Sequence, residues 1–176
     1  AFTKTVNISK LLGFLNSKIV RVFMYAINPS LSSLVGDLIK MPITELNQSQ
    51  AQFINRLISD LINIAKSDWD SYETSWDFTS LPLLRSEYRK SAISESYKSL
   101  RQKWQEMTLE MQKLEEENNR IFIEAYGLED ELTPDVPLNE ITLTCNPRYR
   151  YGSGKSDAGY EKLLLADTID EYISYS

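Results

Sequence analysis

The sequence predicts a mainly α protein, and three observations carry this prediction. Apolar residues recur at helical spacing in three windows, residues 8 to 27, 45 to 66 and 86 to 126. Helix stop signals follow two of these windows, Asn28-Pro29 after the first and Gly127 after the third. Only Ile141 to Cys145 could form a short strand. We therefore expect a helical domain with a small irregular or short-strand segment near residues 141 to 151.

The first predicted helix is amphipathic and ends at Asn28-Pro29. A short extended piece around Gly36-Asp37 is expected next, and Met41-Pro42-Ile43 closes it. The second window, Glu45 to Lys66, carries the broad apolar face of a buried helix.

A tryptophan-rich block lies between the second and third helical windows. Four acidic residues alternate with four aromatic ones from Asp68 to Phe78, and Pro82 ends the block. We expect these aromatic side chains to fill gaps between helices, and the alternative interpretation is a site that stacks a ligand.

The third window predicts one long helix whose apolar residues repeat at steps of three and four. These residues form a seam along one side of the helix. Asn118 is the one polar residue in this seam, and a buried asparagine there can fix the register of packed helices. At about 1.5 Å per residue, such a helix would reach roughly 60 Å. It is therefore expected to pack along other helices, antiparallel in the manner of a heptad repeat. The seam residues are Tyr97, Leu100, Trp104, Met107, Met111, Leu114, Asn118, Ile121 and Ala125.

Beyond the long helix, prolines and glycines predict a loop-rich segment, and residues 167 to 175 are expected to begin a helix. These changes of pattern divide the chain into three parts. Residues 1–43 form the first part. Residues 44–130 form a helical spacer or scaffold, and residues 131–176 form the loop-rich segment with the start of a helix.

Composition limits the classes of function. The chain carries 42% apolar and 11% aromatic residues, which argues against wholesale disorder. No apolar run reaches the ~18 residues of a membrane span and no signal peptide is visible, so we expect a cytoplasmic protein without a membrane partner. With no histidine and a single cysteine, Cys145, a zinc site has few ligands, and no metal-binding residue is assigned.

The charge is divided unevenly along the chain. Residues 1 to 66 hold 7 basic and 3 acidic side chains, whereas residues 67 to 176 hold 12 basic and 22 acidic ones. The overall charge of −6 argues against a sequence-independent nucleic-acid coat, which needs many phosphate contacts.

One basic and aromatic cluster stands out in the acidic part. Two arginines and a lysine beside a Gly-Ser loop could meet phosphates while tyrosines stack on bases, or the arginines could pair with nearby carboxylates. Lys18 and Arg21 on the first helix are further candidates for DNA contact. The cluster comprises Arg148, Tyr149, Arg150, Tyr151 and Lys155.

Asn146-Pro147-Arg148-Tyr149 resembles the Asn-Pro-Pro-Tyr loop in which amino methyltransferases hold a flipped adenine. Arginine replaces the second proline here, and no glycine-rich loop for S-adenosylmethionine precedes it. We therefore interpret it as a turn or a DNA-backbone contact, and assign no catalytic and no cofactor-binding residue to this chain.

Several blocks of the sequence resemble a known family. The run from Asn16-Ser17-Lys18 through Asn28-Pro29, Val35-Gly36-Asp37 and Pro42-Ile43 is similar to the end of the specificity region in single-chain adenine DNA methyltransferases. This resemblance implies that residues 1–43 are the tail of a target-recognition-like region. The blocks Trp69 to Leu84, Leu114 to Phe122 and Leu132 to Tyr151 resemble the C-terminal part of the PglX-type methyltransferase of bacteriophage-exclusion (BREX) defence systems.

The resemblance implies a parent enzyme that transfers a methyl group from S-adenosylmethionine to adenine N6 in duplex DNA. The fragment alone would be inactive, and its partners would be duplex DNA, the missing methyltransferase domain, other defence proteins or a second copy. The alternative is a stand-alone helical, coiled-coil-type interaction module that binds a partner helix through the seam.

Overall fold

The structure is a computed structural model, and it describes residues 7–28, 35–151 and 155–165. Within these residues there are helices and turns but no strand, which confirms the mainly α prediction. The helices in chain order are α1 (Ile8–Leu15), α2 (Lys18–Ile27), α3 (Val35–Ile39), α4 (Gln48–Trp69), α5 (Ile93–Tyr126), α6 (Pro147–Arg150) and α7 (Asp157–Leu165). Short 3-10 turns cover Pro82–Leu84 and Leu138–Glu140.

The first predicted helix is in fact two helices, so the expectation of one continuous helix over residues 8 to 27 is wrong. The break lies at Asn16-Ser17, where the Lys18 amide donates to Asn119 Oδ1 at 2.9 Å and not to the Phe14 carbonyl one turn earlier. Asn16 Nδ2 donates to the Leu12 carbonyl at 2.9 Å, and Ser17 Oγ donates to the Phe14 carbonyl at 2.7 Å. Ser17 is extended and begins α2.

The second helical prediction is confirmed with a shift of three residues toward the C-terminus. Asn47 Oδ1 accepts a hydrogen bond from the Gln50 amide at 2.9 Å, and Gln50 Oε1 accepts one from the Asn47 amide at 3.1 Å. This reciprocal pair is a capping box, which places the helix start at Gln48.

The long helix is confirmed from Ile93 to Tyr126, although its start lies seven residues later than predicted because the preceding residues form turns. Its end follows the prediction. Gly127 has a φ of 66°, its amide donates to the Glu124 carbonyl, and the Leu128 amide donates to the Ile123 carbonyl. These two hydrogen bonds make a Schellman motif, which a residue without a Cβ adopts most easily.

Two other local expectations are wrong. Residues 35–39 form the helix α3 and not an extended piece, and Ile141 to Cys145 is irregular and not a strand. The buried residues Ile141, Leu143 and Cys145 alternate with more exposed ones, as they would in a strand. However, 3-10 and α-helical turns flank this segment, and the described residues contain no strand with which it could pair. The helix expected from residue 167 lies outside the described residues.

The chain divides into two compact units. Unit 1 comprises Ala1–Leu61 and Lys113–Asp135, and unit 2 comprises Ile62–Gln112 and Val136–Ser176. The boundary between them falls inside both α4 and α5. The division at residues 43 and 130 expected from composition stays a prediction.

Unit 1 is built around an aromatic and aliphatic core. The Phe14 and Phe122 rings lie 5.8 Å apart, and Tyr126 stacks on Phe14 at 6.1 Å while meeting the edge of Phe23 at 5.2 Å. Two polar side chains hold the surrounding segments through three hydrogen bonds. Tyr126 Oη donates to the Pro42 carbonyl, and Asn119 accepts from the Lys18 amide and donates to the Pro134 carbonyl. The core residues are Phe14, Ile19, Met41, Ile54, Leu57, Ile58, Ile121, Phe122 and Ile123.

Unit 2 has its own buried residues and its own polar anchors. The Arg101 guanidinium donates to the Leu163 carbonyl near the end of α7, and Gln112 Nε2 donates to the Val136 carbonyl at 2.7 Å. The buried apolar residues are Tyr97, Leu100, Met111, Val136, Ile141, Leu143, Cys145, Tyr160 and Leu163.

The aromatic side chains of the tryptophan-rich block are more exposed than expected. Tyr72 and Phe78 are half-buried, whereas Trp69 is 55% exposed and Trp76 is fully exposed at 103%. The expectation that these aromatic side chains fill gaps between helices is therefore wrong for both tryptophans.

Candidate nucleic-acid interface

The basic and aromatic cluster found in the sequence lies on and beside the short helix α6. Asn146 begins this helix, because its side-chain oxygen accepts a hydrogen bond from the Arg148 amide at 3.1 Å. Pro147 follows at the first helical position, where its missing N–H costs nothing. The Asn146-Pro147 pair is thus the start of a helix, which explains why asparagine and proline occur together here.

The amide of Asn146 is fully engaged inside unit 2. Its nitrogen donates to the Leu138 carbonyl at 2.6 Å and to the Ile141 carbonyl at 2.9 Å, and the residue is completely buried. An asparagine that held a target adenine would need its oxygen facing an open pocket. Asn146 therefore has a structural role, and it sets the direction of α6.

A buried acid that sequence analysis did not single out supports the same segment. Asp68, near the end of α4, is 5% exposed, and its two carboxylate oxygens accept hydrogen bonds from the Thr144 amide at 2.6 Å and the Cys145 amide at 3.0 Å. The sequence signal that could have indicated Asp68 is its position on the apolar side of a helix, because an acid buried there needs a hydrogen-bond partner. Asp68 thus fixes the backbone that leads into α6.

The environment beneath α6 is poorly hydrated and carries negative charge. Burial raises the pKa of Tyr72 to about 12, and the Asp68 carboxylate adds to the shift. Burial also raises the pKa of the Cys145 thiol well above its ordinary value, again with a contribution from Asp68. Cys145 is therefore a buried, unreactive thiol that belongs to the support of the cluster.

The cations of the cluster lie over tyrosine rings. The guanidinium carbon of Arg148 is 5.4 Å from the centre of the Tyr160 ring. Arg150 and Lys155 both approach Tyr151, each at 5.9 Å from the ring centre. These distances allow cation–π attraction, which keeps the charges in place while leaving their N–H groups able to donate.

Exposure divides the cluster into an inner and an outer part. Arg148 and Tyr151 are half-buried, whereas Tyr149 and Arg150 are exposed. Within the residues that the structure describes, Arg150 forms no ion pair with a carboxylate. The outer part is therefore the accessible surface, and the inner part supports it.

The two candidates on the first predicted helix lie in α2, in the other unit. The Lys18 amine donates to the Thr133 carbonyl at 3.0 Å, which gives this residue a role inside unit 1. Arg21 is exposed. The structure brings together the five residues of the α6 cluster, and it places Lys18 and Arg21 in a separate unit.

No group of three or more potential metal ligands occurs among the described residues. In the same part of the chain, no helix is long and apolar enough to cross a membrane.

Comparison with known proteins identifies the class to which this helical chain belongs. No protein-family model matches it. Over 171 residues, 97% of the chain, it is 31% identical to the adenine-specific methyltransferase BrxX of Escherichia coli O9:H4 (strain HS). Over 135 residues, 75% of the chain, it is 31% identical to the adenine-specific methyltransferase PglX of Lacticaseibacillus casei (strain Zhang).

The chain therefore belongs to the PglX-type adenine-specific methyltransferases, as the resemblance of its sequence blocks implied. It spans only 13% of the length of the first relative and 11% of the second. It thus matches one segment of each of these longer relatives.

Proposed function

We propose that this chain is a non-catalytic, DNA-positioning helical segment of an adenine-N6 DNA methyltransferase that belongs to a BREX or restriction-modification defence system. The observation that carries the proposal is the 31% identity to an adenine-specific methyltransferase over 97% of the chain. The parent enzyme would take its methyl group from S-adenosylmethionine bound elsewhere in the polypeptide. It would act on duplex DNA in the cytoplasm, where host DNA is modified.

The α6 cluster supports the positioning role. Arg150 is exposed on a helix whose start is fixed by Asn146 and whose leading backbone is fixed by Asp68. Such a rigid base suits contacts to phosphodiester oxygens, which set the register of a protein on DNA without reading sequence. Tyr149, 46% exposed, could add a hydrogen bond or a stacking contact.

The surrounding charge supports a local contact and not an extended DNA-binding face. Residues 67 to 176 carry 22 acidic side chains against 12 basic ones. A few cations can hold one or two phosphates against this background, but most of the binding energy would come from other parts of the parent enzyme. The segment therefore orients DNA in a complex that other domains form.

The alternative, a stand-alone interaction module that uses the heptad seam, has less support. The seam residues Tyr97, Leu100, Met111 and Ile121 are already buried within the two units. A seam that binds a partner helix would need these side chains accessible. Most of the seam is therefore already covered by other residues of this chain.

The proposal is tested in the full parent methyltransferase with Arg150→Ala combined with Lys155→Ala. If both cations meet phosphates, DNA affinity should fall, and the slope of log K against log salt should decrease in magnitude by roughly 2. The methylation rate at saturating DNA should stay close to that of the parent enzyme.

Lys103→Ala is the matched control, because Lys103 is an exposed cation on α5 outside the cluster. It should change neither the affinity nor the salt slope. If the double variant also leaves both unchanged, or if it abolishes methylation while DNA binding is intact, the positioning role is wrong.

A further inference from the structure

An open cleft of about 660 Å³ lies at the end of α4 in unit 2, between the helix and the loop that follows it. Its apolar rim includes Trp69, Trp76 and Ile62, which are 55%, 103% and 48% exposed. Each indole offers an apolar surface on the order of 200 Å². Two tryptophans on one rim form the kind of exposed apolar surface that commonly marks an interaction site.

The cleft is held in shape by a polar network. Lys66 Nζ lies 2.8 Å from Asp70 Oδ2 and 2.5 Å from Asp77 Oδ2, so one ammonium joins the helix to the loop. Ser75 Oγ donates to Asp70 Oδ1 at 2.6 Å and accepts from the Asp77 amide at 3.1 Å. Hydrogen bonding to Lys66 lowers the pKa of Asp70, which keeps this carboxyl ionised. The exposed position of Trp76 is therefore fixed by the hydrogen bonds and ion pair of the adjacent residues Ser75 and Asp77.

The charge of the cleft favours a cationic occupant. Lys66 is the single base among the lining residues, and Arg85 lies near enough to help lower the pKa of Asp70, whereas Asp70 and Asp77 line the cleft and Glu73 lies exposed in the same loop. This excess of acid repels phosphate, so a nucleic-acid strand that stacked its bases on the tryptophans would bring unfavourable charge with it. An arginine or lysine side chain gains both from the carboxylates and from the indole faces.

The source of such a side chain follows from the size of the relatives. The chain spans 13% and 11% of the two methyltransferases that it matches, so most of the parent polypeptide is available to contact this surface. Within one polypeptide, the partner segment is present at high effective concentration, which favours docking through a surface of modest area.

We propose that the Trp69–Trp76 cleft is the docking site for another segment of the same methyltransferase polypeptide, one that presents a basic side chain flanked by apolar residues. This inference rests on the chain being part of a longer methyltransferase and does not depend on DNA contact by the α6 cluster. The docked segment would stack its cation against an indole and cover the apolar rim.

The test places the photo-crosslinking residue p-benzoylphenylalanine at position 76 of the full parent methyltransferase. Because Trp76 is fully exposed, this replacement should not disturb folding. Irradiation without DNA should give an intramolecular cross-link to a peptide outside these 176 residues, with a basic residue at or next to the site. Position 109 is the control, since Leu109 is an exposed apolar residue of unit 2 that does not line the cleft. It should not yield that peptide.

A second variant tests the role of charge. Asp77→Lys in the same crosslinking protein should reduce the yield of the intramolecular product at least several-fold, whereas Asp77→Glu should retain most of it. Mixing isotope-labelled and unlabelled protein separates this product from one between two copies.

Cross-links only between copies, only to added DNA, or to no protein at all would overturn the docking proposal. None of these outcomes bears on the salt dependence that tests the α6 cluster. The two ideas can therefore fail separately.

Discussion

Asn118 on α5 donates a hydrogen bond from Nδ2 to the carbonyl oxygen of Gly13 on α1 at 2.9 Å, and both residues are buried. The missing side chain at Gly13 allows this approach. A Cβ there would lie 2.8 Å from Asn118 Oδ1, 3.2 Å from Ile58 Cδ1 and 3.3 Å from Phe122 Cε2. The seam asparagine therefore meets a glycine and fixes how α1 lies on the long helix.

Gly13→Ala is expected to destabilise the protein even though alanine favours helices. Helix propensity alone would stabilise by about 1 kcal/mol, but overpacking a tight contact costs about 1 to 3 kcal/mol. Moving the Asn118 side chain would also lose its hydrogen bond. We expect a net loss of about 1 kcal/mol or more in the free energy of unfolding, measured by urea denaturation.

Gly36→Ala in α3 is the matched control, because a Cβ at that position meets nothing within 4 Å. It should be neutral or stabilising by up to about 1 kcal/mol. If both alanine variants are equally stable, the close approach at Gly13 does not govern the α1–α5 contact.

Replacing Trp104 with alanine should cost less than replacing Phe122. Trp104 is half-buried, with the Arg101 guanidinium carbon 5.9 Å from its ring, whereas Phe122 is completely buried in the unit 1 core. We expect about 3 to 5 kcal/mol for Phe122→Ala and less than about half of that for Trp104→Ala. Denaturation midpoints together with the oligomeric mass check this order. A reversed order would mean that Trp104 is buried in solution by a partner or a second copy.

Asp68→Asn is expected to loosen the segment that carries α6. Asparagine keeps one acceptor oxygen but places an NH₂ group against a backbone N–H, so one of the two hydrogen bonds is lost. The expected cost is about 1 to 3 kcal/mol, and amide hydrogen exchange at Thr144 and Cys145 should accelerate. Asp60→Asn, an exposed acid on the same helix, should stay within about 0.5 kcal/mol of the parent. Unchanged exchange at both amides in Asp68→Asn would refute the anchoring role.

Tyr72 should make stability depend on alkaline pH. Its pKa rises from the ordinary value of 10.0 to about 12 on folding because the phenol is buried near Asp68. The folded state thus retains the phenol proton more tightly than the unfolded chain. The stabilising effect is complete below pH 10 and is lost as the pH rises from 10 toward 12. Tyr72→Phe cannot ionise, so its stability should fall less steeply over this interval in denaturation series, and equal slopes for the two proteins would contradict the prediction.

Local signals in the sequence were sufficient where neighbouring residues alone decide the structure. Gly127 ended the long helix because a left-handed backbone conformation is needed there, and helical periodicity located α4 to within three residues and the start of α5 to within seven. The sequence blocks also identified the methyltransferase family, because a resemblance of this kind depends only on residue order. The candidate cluster at residues 148 to 155 was likewise visible as a run of basic and aromatic residues.

Only the tertiary structure decided how polar side chains are used. The first helix is split at Asn16-Ser17 because Asn119 takes the Lys18 amide from 101 positions away, while Ser17 Oγ bonds the Phe14 carbonyl. Asp68 and Asn146 became supports of α6 for the same reason, since their partners lie far along the chain or in irregular turns. The exposure of Trp69 and Trp76 also depends on which surfaces meet after folding. Periodicity records which residues are apolar, but the pairing of polar groups and the burial of a ring are set by distances between segments that sequence order does not contain.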